Sequence, residues 1–425
     1  MLSVPDDHEP DVIAADGTRF KGLPLGGSAT LADIPGLGWS VARGDTATPV
    51  ATVSMDAVRA NADAMRAWCA THDVSLAPHA KTTLSPELID VQRDRGVWGM
   101  TAALPRQVAL LWQLGVGRVI LANELTDPAA IRWLGSRLAT DEALELSLYA
   151  DSIAGVGILD RSMSEVDGAR PLDVLIELGH AGGRSGARST AEAVAVAEAV
   201  IASPRLRLAG VALFEGTLGA VRTPQILGAV DAFLGGLRDL LAALAGRFET
   251  AEPIVTAGGS HFFDRVVEVL AEPAREHGAR LVLRSGCYLV HDHGIYGRGT
   301  PLATGVRDAP AFEAALTVWA RVISCPEPGL ALLDAGRRDV SFDAGFPLPL
   351  ERWRDGERLD VSEAARIDAL GDQHAFLRFE RHVDIALGDL VRLGVSHPCT
   401  TFDRWSLMLV VDDQDVVVGT IRTDF

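Results

Sequence analysis

From residue 49 to residue 286 the chain repeats one pattern: a short apolar run, a turn, then an amphipathic stretch. The runs are PVATVS (49–54), VSLAPHAK (74–81), GVWGMTA (96–102), RVILANE (118–124), LELSLYA (144–150), LDVLIEL (172–178), LRLAGVALF (206–214), EPIVTAGG (252–259) and ARLVLRSG (279–286). Between them lie stretches with helical spacing, such as SMDAVRANADAMRAWC and PRQVALLWQLG. Ser85 and Pro86 supply an N-cap and a first helical residue, and Gly96 follows that helix. Strands alternating with helices argue a parallel sheet with helices packed outside it. Eight or nine units suit an α/β fold of the (β/α)8 TIM-barrel type better than an open doubly wound sheet. Nine runs are one too many, so the first is expected to pair outside the barrel.

The texture differs at both ends. Residues 1–48 are rich in Gly, Pro and Asp and read as a leader joining a second domain. After about residue 310 helical spacing fades, and LALLDAG, LVRLGVS, WSLMLVVD and DVVVGTIRTDF are short and strand-like. The expected organisation is therefore a leader (1–48), a barrel (49–310) and a mostly antiparallel β domain (311–425).

Charge narrows the partners. With 39 basic and 57 acidic residues the net charge is −18, which repels phosphate backbones and argues against a nucleic-acid partner. An anionic ligand would need a locally positive pocket. No apolar run reaches the roughly 18 residues of a membrane span, and MLSVPDDHEPDV lacks a signal-peptide pattern. Four cysteines make no disulfide framework and read as reduced thiols, so a cytoplasmic protein is expected.

Barrel enzymes carry their chemistry where the strands end. Only two of the 39 basic residues are lysines, and one of them, Lys81, ends an apolar run. A lysine entering a barrel mouth is desolvated, which lowers its pKa and suits a Schiff base; a strand-end lysine reaching solvent is the plain alternative. His79 lies two residues earlier, on the same strand face. Gly258, Gly259 and Ser260 form a strand-to-helix turn able to cradle a phosphate. The glycine-rich GHAGGRSGA carries Arg184. In SHPC, His397 and Cys399 offer an imidazole and a thiolate that suit zinc, against the alternative of an inert buried cysteine. Cys69, Cys287 and Cys325 read as packing, His291-Asp292-His293 as a solvated loop or metal site, and His374 as a substrate contact or a packing residue.

Taken in order, APHAKTTLSPEL, TVSMDAVRANADAM, IELGHAGGRSG, ALFEGTLG, TAGGS, LRSGCYLVHD and SHPCTTFDRW resemble the fold-type III pyridoxal-phosphate enzymes, in the branch of D-threonine aldolases and D-serine dehydratases. The resemblance spans roughly residues 45–410. It implies that Lys81 carries the pyridoxal 5'-phosphate, with His79 in the cofactor pocket. Gly258, Gly259 and Ser260 would hold the phosphate, with Tyr288 nearby, and Arg184 would contact the ring. His397 and Cys399 would hold Zn2+ or another divalent metal. The thiolate at 399 resembles the dehydratase branch. Thr83-Leu84, where the common motif has His-Lys, resembles the cryptic D-serine dehydratase or amino-acid deaminase subgroup. The implied activity is dehydration of D-serine or a related D-3-hydroxyamino acid to a 2-oxo acid and ammonia. Retro-aldol cleavage to glycine and an aldehyde is the alternative; a racemase or a non-catalytic cofactor-binding protein stands behind it. The resemblance also implies a homodimer.

Overall fold

The computed structural model describes residues 13–26 and 29–425, so the leader segments 1–12 and 27–28 lie outside the described residues. Strand β1 (Val50–Ser54) leads into α1 (Met55–Thr71), β2 (Ser75–Leu76), α2 (Pro86–Arg93), β3 (Met100–Ala102), α3 (Pro105–Gln113), β4 (Arg118–Glu124), α4 (Pro128–Thr140), β5 (Glu145–Ala150) and α5 (Ile153–Ser164). The alternation continues through β6 (Leu172–Glu177), α6 (Thr190–Ile201), β7 (Leu206–Ala212), α7 (Pro224–Ala243), β8 (Ile254–Ala257), α8 (Phe263–Glu276) and β9 (Arg280–Leu283).

Strands β2 to β9 form one parallel sheet in the order β2-β9-β8-β7-β6-β5-β4-β3. Its two edges meet. The Trp98 N–H donates to the Leu76 carbonyl at 2.9 Å and the Thr101 N–H to the Pro78 carbonyl at 2.9 Å, which nearly closes the barrel. Buried Ala77, Ile120, Tyr149, Leu175, Ala209, Ala212 and Val282 form a small apolar cluster of their own within it. Outside, the strands and helices share a larger core. Helix starts follow local chemistry: Ser54, Ser152, Ser189 and Thr223 each accept a backbone N–H three residues on. Ser85 holds the expected N-cap position, but its hydroxyl donates to Glu87 instead of capping the helix.

The first run is β1, and it pairs outside the barrel. It lies between β10 (Leu316–Glu327), antiparallel, and β17 (Leu407–Val411), parallel. The remaining strands are β11 (Leu330–Leu333), β12 (Leu348–Arg354), β13 (Glu357–Asp360), β14 (Ala365–Leu370), β15 (Ala375–Phe379), β16 (Leu390–Gly394) and β18 (Val417–Arg422). They run β13-β12-β16-β10-β1-β17-β18, with β11, β15 and β14 branching from the long β10. Two short helices, α9 (Ile295–Gly299) and α10 (Cys399–Phe402), precede β10 and β17 respectively. The described leader residues Ile13, Phe20, Leu23, Leu31 and Ile34 pack on Trp319, Leu407 and Leu409 of this sheet. Lys21 sits 4.0 Å over the Trp405 ring and 2.9 Å from the buried Asp339 carboxylate. Among the described residues no helix is long and apolar enough to cross a membrane.

Candidate active site

The strand expected over 74–81 pairs as a strand only at Ser75–Leu76. Pro78 has no N–H to give, and beyond it the chain keeps single hydrogen bonds, His79 N–H to the Arg284 carbonyl among them. It then tightens into a 3-10 turn, Ala80–Thr82. Lys81 is therefore on a turn at the barrel mouth rather than on the strand. That turn aims it into a cavity of about 290 Å³ lined also by His79, Asn123, Arg184, Ser260 and Tyr296.

Burial is the main force on the Lys81 amine and pulls its pKa down, with the Arg184 and Arg284 guanidiniums adding to the effect; the Cys399 and Cys287 thiols oppose it. A lysine so placed has more of its neutral, nucleophilic form near neutral pH. Burial, together with Lys81, Arg284 and Arg184, also keeps His79 neutral. Its Nδ1 is buried with no partner among the described residues, as are the Tyr149 hydroxyl and Arg284 Nε. These are orphaned polar atoms around a cavity, a pattern that points to a polar ligand.

The opposite wall comes from the second sheet. After β16 the chain runs through Ser396-His397-Pro398 into α10, which starts at Cys399. Both expected residues line the cavity. A third side chain joins them: Cys287, from the turn after β9, has its sulfur 3.3 Å from that of Cys399. Ligand atoms of Cys287, His397 and Cys399 all lie within 4.8 Å of one another, a spacing that suits one metal ion. Thr82 Oγ1 lies 3.7 Å from Cys287 Sγ and 3.6 Å from Cys399 Sγ. The contact with Cys287 and the facing His397 imidazole hold the Cys399 thiol well below its usual pKa. Burial would depress His397, but Cys399 and the Asp343 carboxylate outweigh it and lift the imidazole to about 9. Asp343 Oδ2 sits 2.7 Å from His397 Nδ1, which leaves Nε2 for another partner.

Three expectations change. Tyr288 does not line the cavity; its hydroxyl accepts from Gln92 Nε2 at 3.1 Å within the core, because the 3-10 turn Cys287–Leu289 rotates it away from Cys287. Tyr296 is the tyrosine that reaches the cavity instead. The N–H groups of Gly258 and Gly259 donate at 3.0 and 2.6 Å to Glu215, a fully buried carboxylate that needs them. The N–H groups of Gly258 and Gly259 are thus already taken by a side chain of the protein itself. The next residue, Ser260, lines the cavity with Gly286 and Cys287, and nothing among the described residues accepts from their backbone N–H groups. Finally, Cys287 is a cavity residue, not mere packing. All four cysteines are free.

An acidic pair also stands at the strand ends. Glu124 ends β4 and Glu177 ends β6. Burial, then the Glu177 carboxyl, raises Glu124 to about 8, with Asp151 adding a little. Both sit at strand ends, where the reasoning that points to Lys81 points as well.

Residues 315–411 match the family described as "Putative serine dehydratase domain". D-threonine aldolase from Arthrobacter sp. is 29% identical over 370 residues, 86% of this chain and 89% of that one. D-threo-3-hydroxyaspartate dehydratase from Delftia sp. (strain HT23) is 25% identical, over 83% of this chain and 91% of that one. The chain is related to these aldolases and dehydratases. Its motifs resemble the same family. Among solved structures, D-threonine aldolase from Filomicrobium marinum superposes with a TM-score of 0.75 at 26% identity, covering 91% of this chain and 97% of that one.

Proposed function

We propose that this protein is a pyridoxal-phosphate- and metal-dependent lyase acting on a small D-3-hydroxyamino acid, with dehydration to a 2-oxo acid and ammonia as its reaction. The observation that carries this reading is the placing of Lys81 and of the Cys287-His397-Cys399 group on one cavity of about 290 Å³. That volume is at the low end for small-molecule sites, so a bound cofactor leaves room for only a small amino acid.

The residues present fit both groups. For the cofactor there is a desolvated lysine and there are buried polar atoms on His79, Tyr149 and Arg284; the backbone N–H groups of Ser260, Gly286 and Cys287, which have no acceptor among the described residues, would suit a phosphate. Arg184, 5.3 Å over the Phe214 ring, would bring positive charge to the cavity wall. For the metal there are soft thiolate and imidazole donors. When bound, the cofactor supplies an electron sink for charge at Cα and the metal a Lewis acid for the β-oxygen.

The chain's own groups do the rest. Lys81 Nζ would hold the cofactor, and its amine, when free, would take the α-proton. His397 and Cys399 would hold the metal on the wall of the same cavity, where it would bind the substrate's β-hydroxyl. In dehydration the Cα–H and Cβ–O bonds break and water leaves; hydrolysis of the product then releases ammonia. In retro-aldol cleavage the Cα–Cβ bond breaks instead, giving glycine and an aldehyde. That second reading is favoured by the 29% identity to an Arthrobacter D-threonine aldolase. The D-configuration rests on the relatives' names alone.

The deciding experiment supplies D-serine, D-threonine and D-threo-3-hydroxyaspartate to purified protein, with and without chelator. Chelator-sensitive 2-oxo acid supports dehydration; glycine with aldehyde moves the reading to aldol cleavage; neither product sinks both for these substrates. Lys81→Ala is expected to lose the cofactor's visible absorption band and at least about 10³-fold in turnover. A variant that keeps both would refute the role of Lys81.

A further inference from the structure

We infer that Cys287 is a third protein ligand of the metal, so that one ion is held by Cys287, His397 and Cys399 and fastens the barrel to the β domain. This rests on the proposed metal-dependent reading and deepens it. Cys287 belongs to the barrel, in the turn after β9, whereas His397 and Cys399 come from the turn after β16. The chain separates Cys287 from Cys399 by 112 residues, yet their sulfurs are 3.3 Å apart.

That separation is informative. A disulfide would need about 2.05 Å. Two thiolates on one tetrahedral zinc, each about 2.3 Å from it, are about 3.8 Å apart. The observed gap is far from the first and within a small side-chain adjustment of the second. The third donor is in place as well, since the ligand atoms of all three residues lie within 4.8 Å of one another. His397 is already oriented to ligate: Asp343 occupies its Nδ1, leaving Nε2. All three residues line the cavity that contains Lys81.

Three protein ligands would leave one tetrahedral position for a further ligand, and all three side chains line the cavity. This is the pattern of a catalytic zinc rather than a closed structural one. Two thiolates also offset the ion's double charge, so the centre is close to neutral. A neutral centre suits a half-buried site in which a net charge would be costly to desolvate. The ion would therefore be held more firmly than by His397 and Cys399 alone.

Zinc X-ray absorption on the holoenzyme, with pyridoxal phosphate bound, tests this directly. The parent is expected to show two sulfur scatterers near 2.3 Å. Cys287→Ser should show one, and chelator competition should show zinc held at least about tenfold less tightly. One sulfur in the parent, unchanged in C287S, would overturn the third ligand while leaving the His397-Cys399 pair standing. No zinc in the parent, or zinc retained unchanged in Cys399→Ala, would overturn the metal reading beneath it. The parent's sulfur count decides the matter even if a variant fails to fold.

Discussion

Single side chains here act through what surrounds them. His397 shows it most plainly: its ring is fixed by Asp343 Oδ2 at 2.7 Å, and Asp343 Oδ1 in turn accepts from Thr400 at 2.6 Å. Carboxylates behind a ligating imidazole fix its tautomer and raise its basicity. Asp343→Ala should therefore weaken zinc retention by about 10–100-fold, read by chelator competition, while leaving the cofactor band in place. Unchanged retention would mean that Thr400 alone orients the ring. Glu124 offers a different test. Its pKa is raised from 4.5 to about 8, chiefly by burial and then by Glu177. The folded protein keeps a proton that the unfolded chain releases above about 4.5. The stabilisation is thus fully present below pH 4.5 and is lost as pH rises to about 8. Unfolding midpoints measured from pH 5 to 8.5 should fall more steeply for the parent than for Glu124→Gln. Parallel curves would show that Glu124 ionises freely in the folded state.

Between elements, the decisive join is the one from HDHG to SHPC. Asp292 Oδ1 accepts N–H groups from Gly294, Tyr296 and Gly297, shaping the start of α9. The Ile295 N–H donates to the Ser396 carbonyl at 3.0 Å, and the His293 N–H to the Val395 carbonyl at 3.2 Å. The HDH cluster is thus a clasp between barrel and β domain; burial lowers His291 and His293 to about 4, leaving both neutral. Gly294 is needed for closeness: a Cβ there would lie 2.5 Å from Ser396 Cα and from its carbonyl oxygen. Gly294→Ala should push the 396–399 segment away from Cys287. We expect about 1–3 kcal/mol of lost stability and a larger loss of metal binding than of cofactor binding. Equal losses of the two would show that the clasp does not position the metal group in particular. The order of barrel elements was legible from periodicity. The clasp was not, because hydrogen bonds between loops far apart in the chain leave no spacing to read.

At the scale of the whole molecule, the leader completes the second core. Ile13, Phe20, Leu23, Leu31, Ile34 and Val41 are buried there with Trp319, Leu407 and Leu409. Six such side chains at about 1.5–3 kcal/mol each contribute on the order of 10 kcal/mol, as much as a typical protein's entire stability. A chain beginning at Asp45 should therefore fail to fold or melt far below the full one, as followed by circular dichroism. Similar melting would place the leader outside the cooperative core. The second sheet also recruits β1, so the β domain is assembled from two parts of the sequence, the N-terminal stretch through β1 and the C-terminal strands from β10 on.

Some of this was fixed by the sequence alone. Alternating runs dictated strand and helix, and hence a parallel barrel, because a parallel strand must be followed by a crossover. The count of nine left one strand over. Strand ends pointed to Lys81, and Arg184, Ser260, His397 and Cys399 were picked out by residue type and motif. Tertiary structure decided which of these meet. It brought Cys287 to Cys399, took Tyr288 out of the cavity and put Tyr296 in it, and gave the Gly258 and Gly259 N–H groups to Glu215. The physical reason is common to all of them. Periodicity records which face of an element is buried, but ligand spacing and orphaned donors are set by distances between turns that only the closed barrel and its docked sheet define.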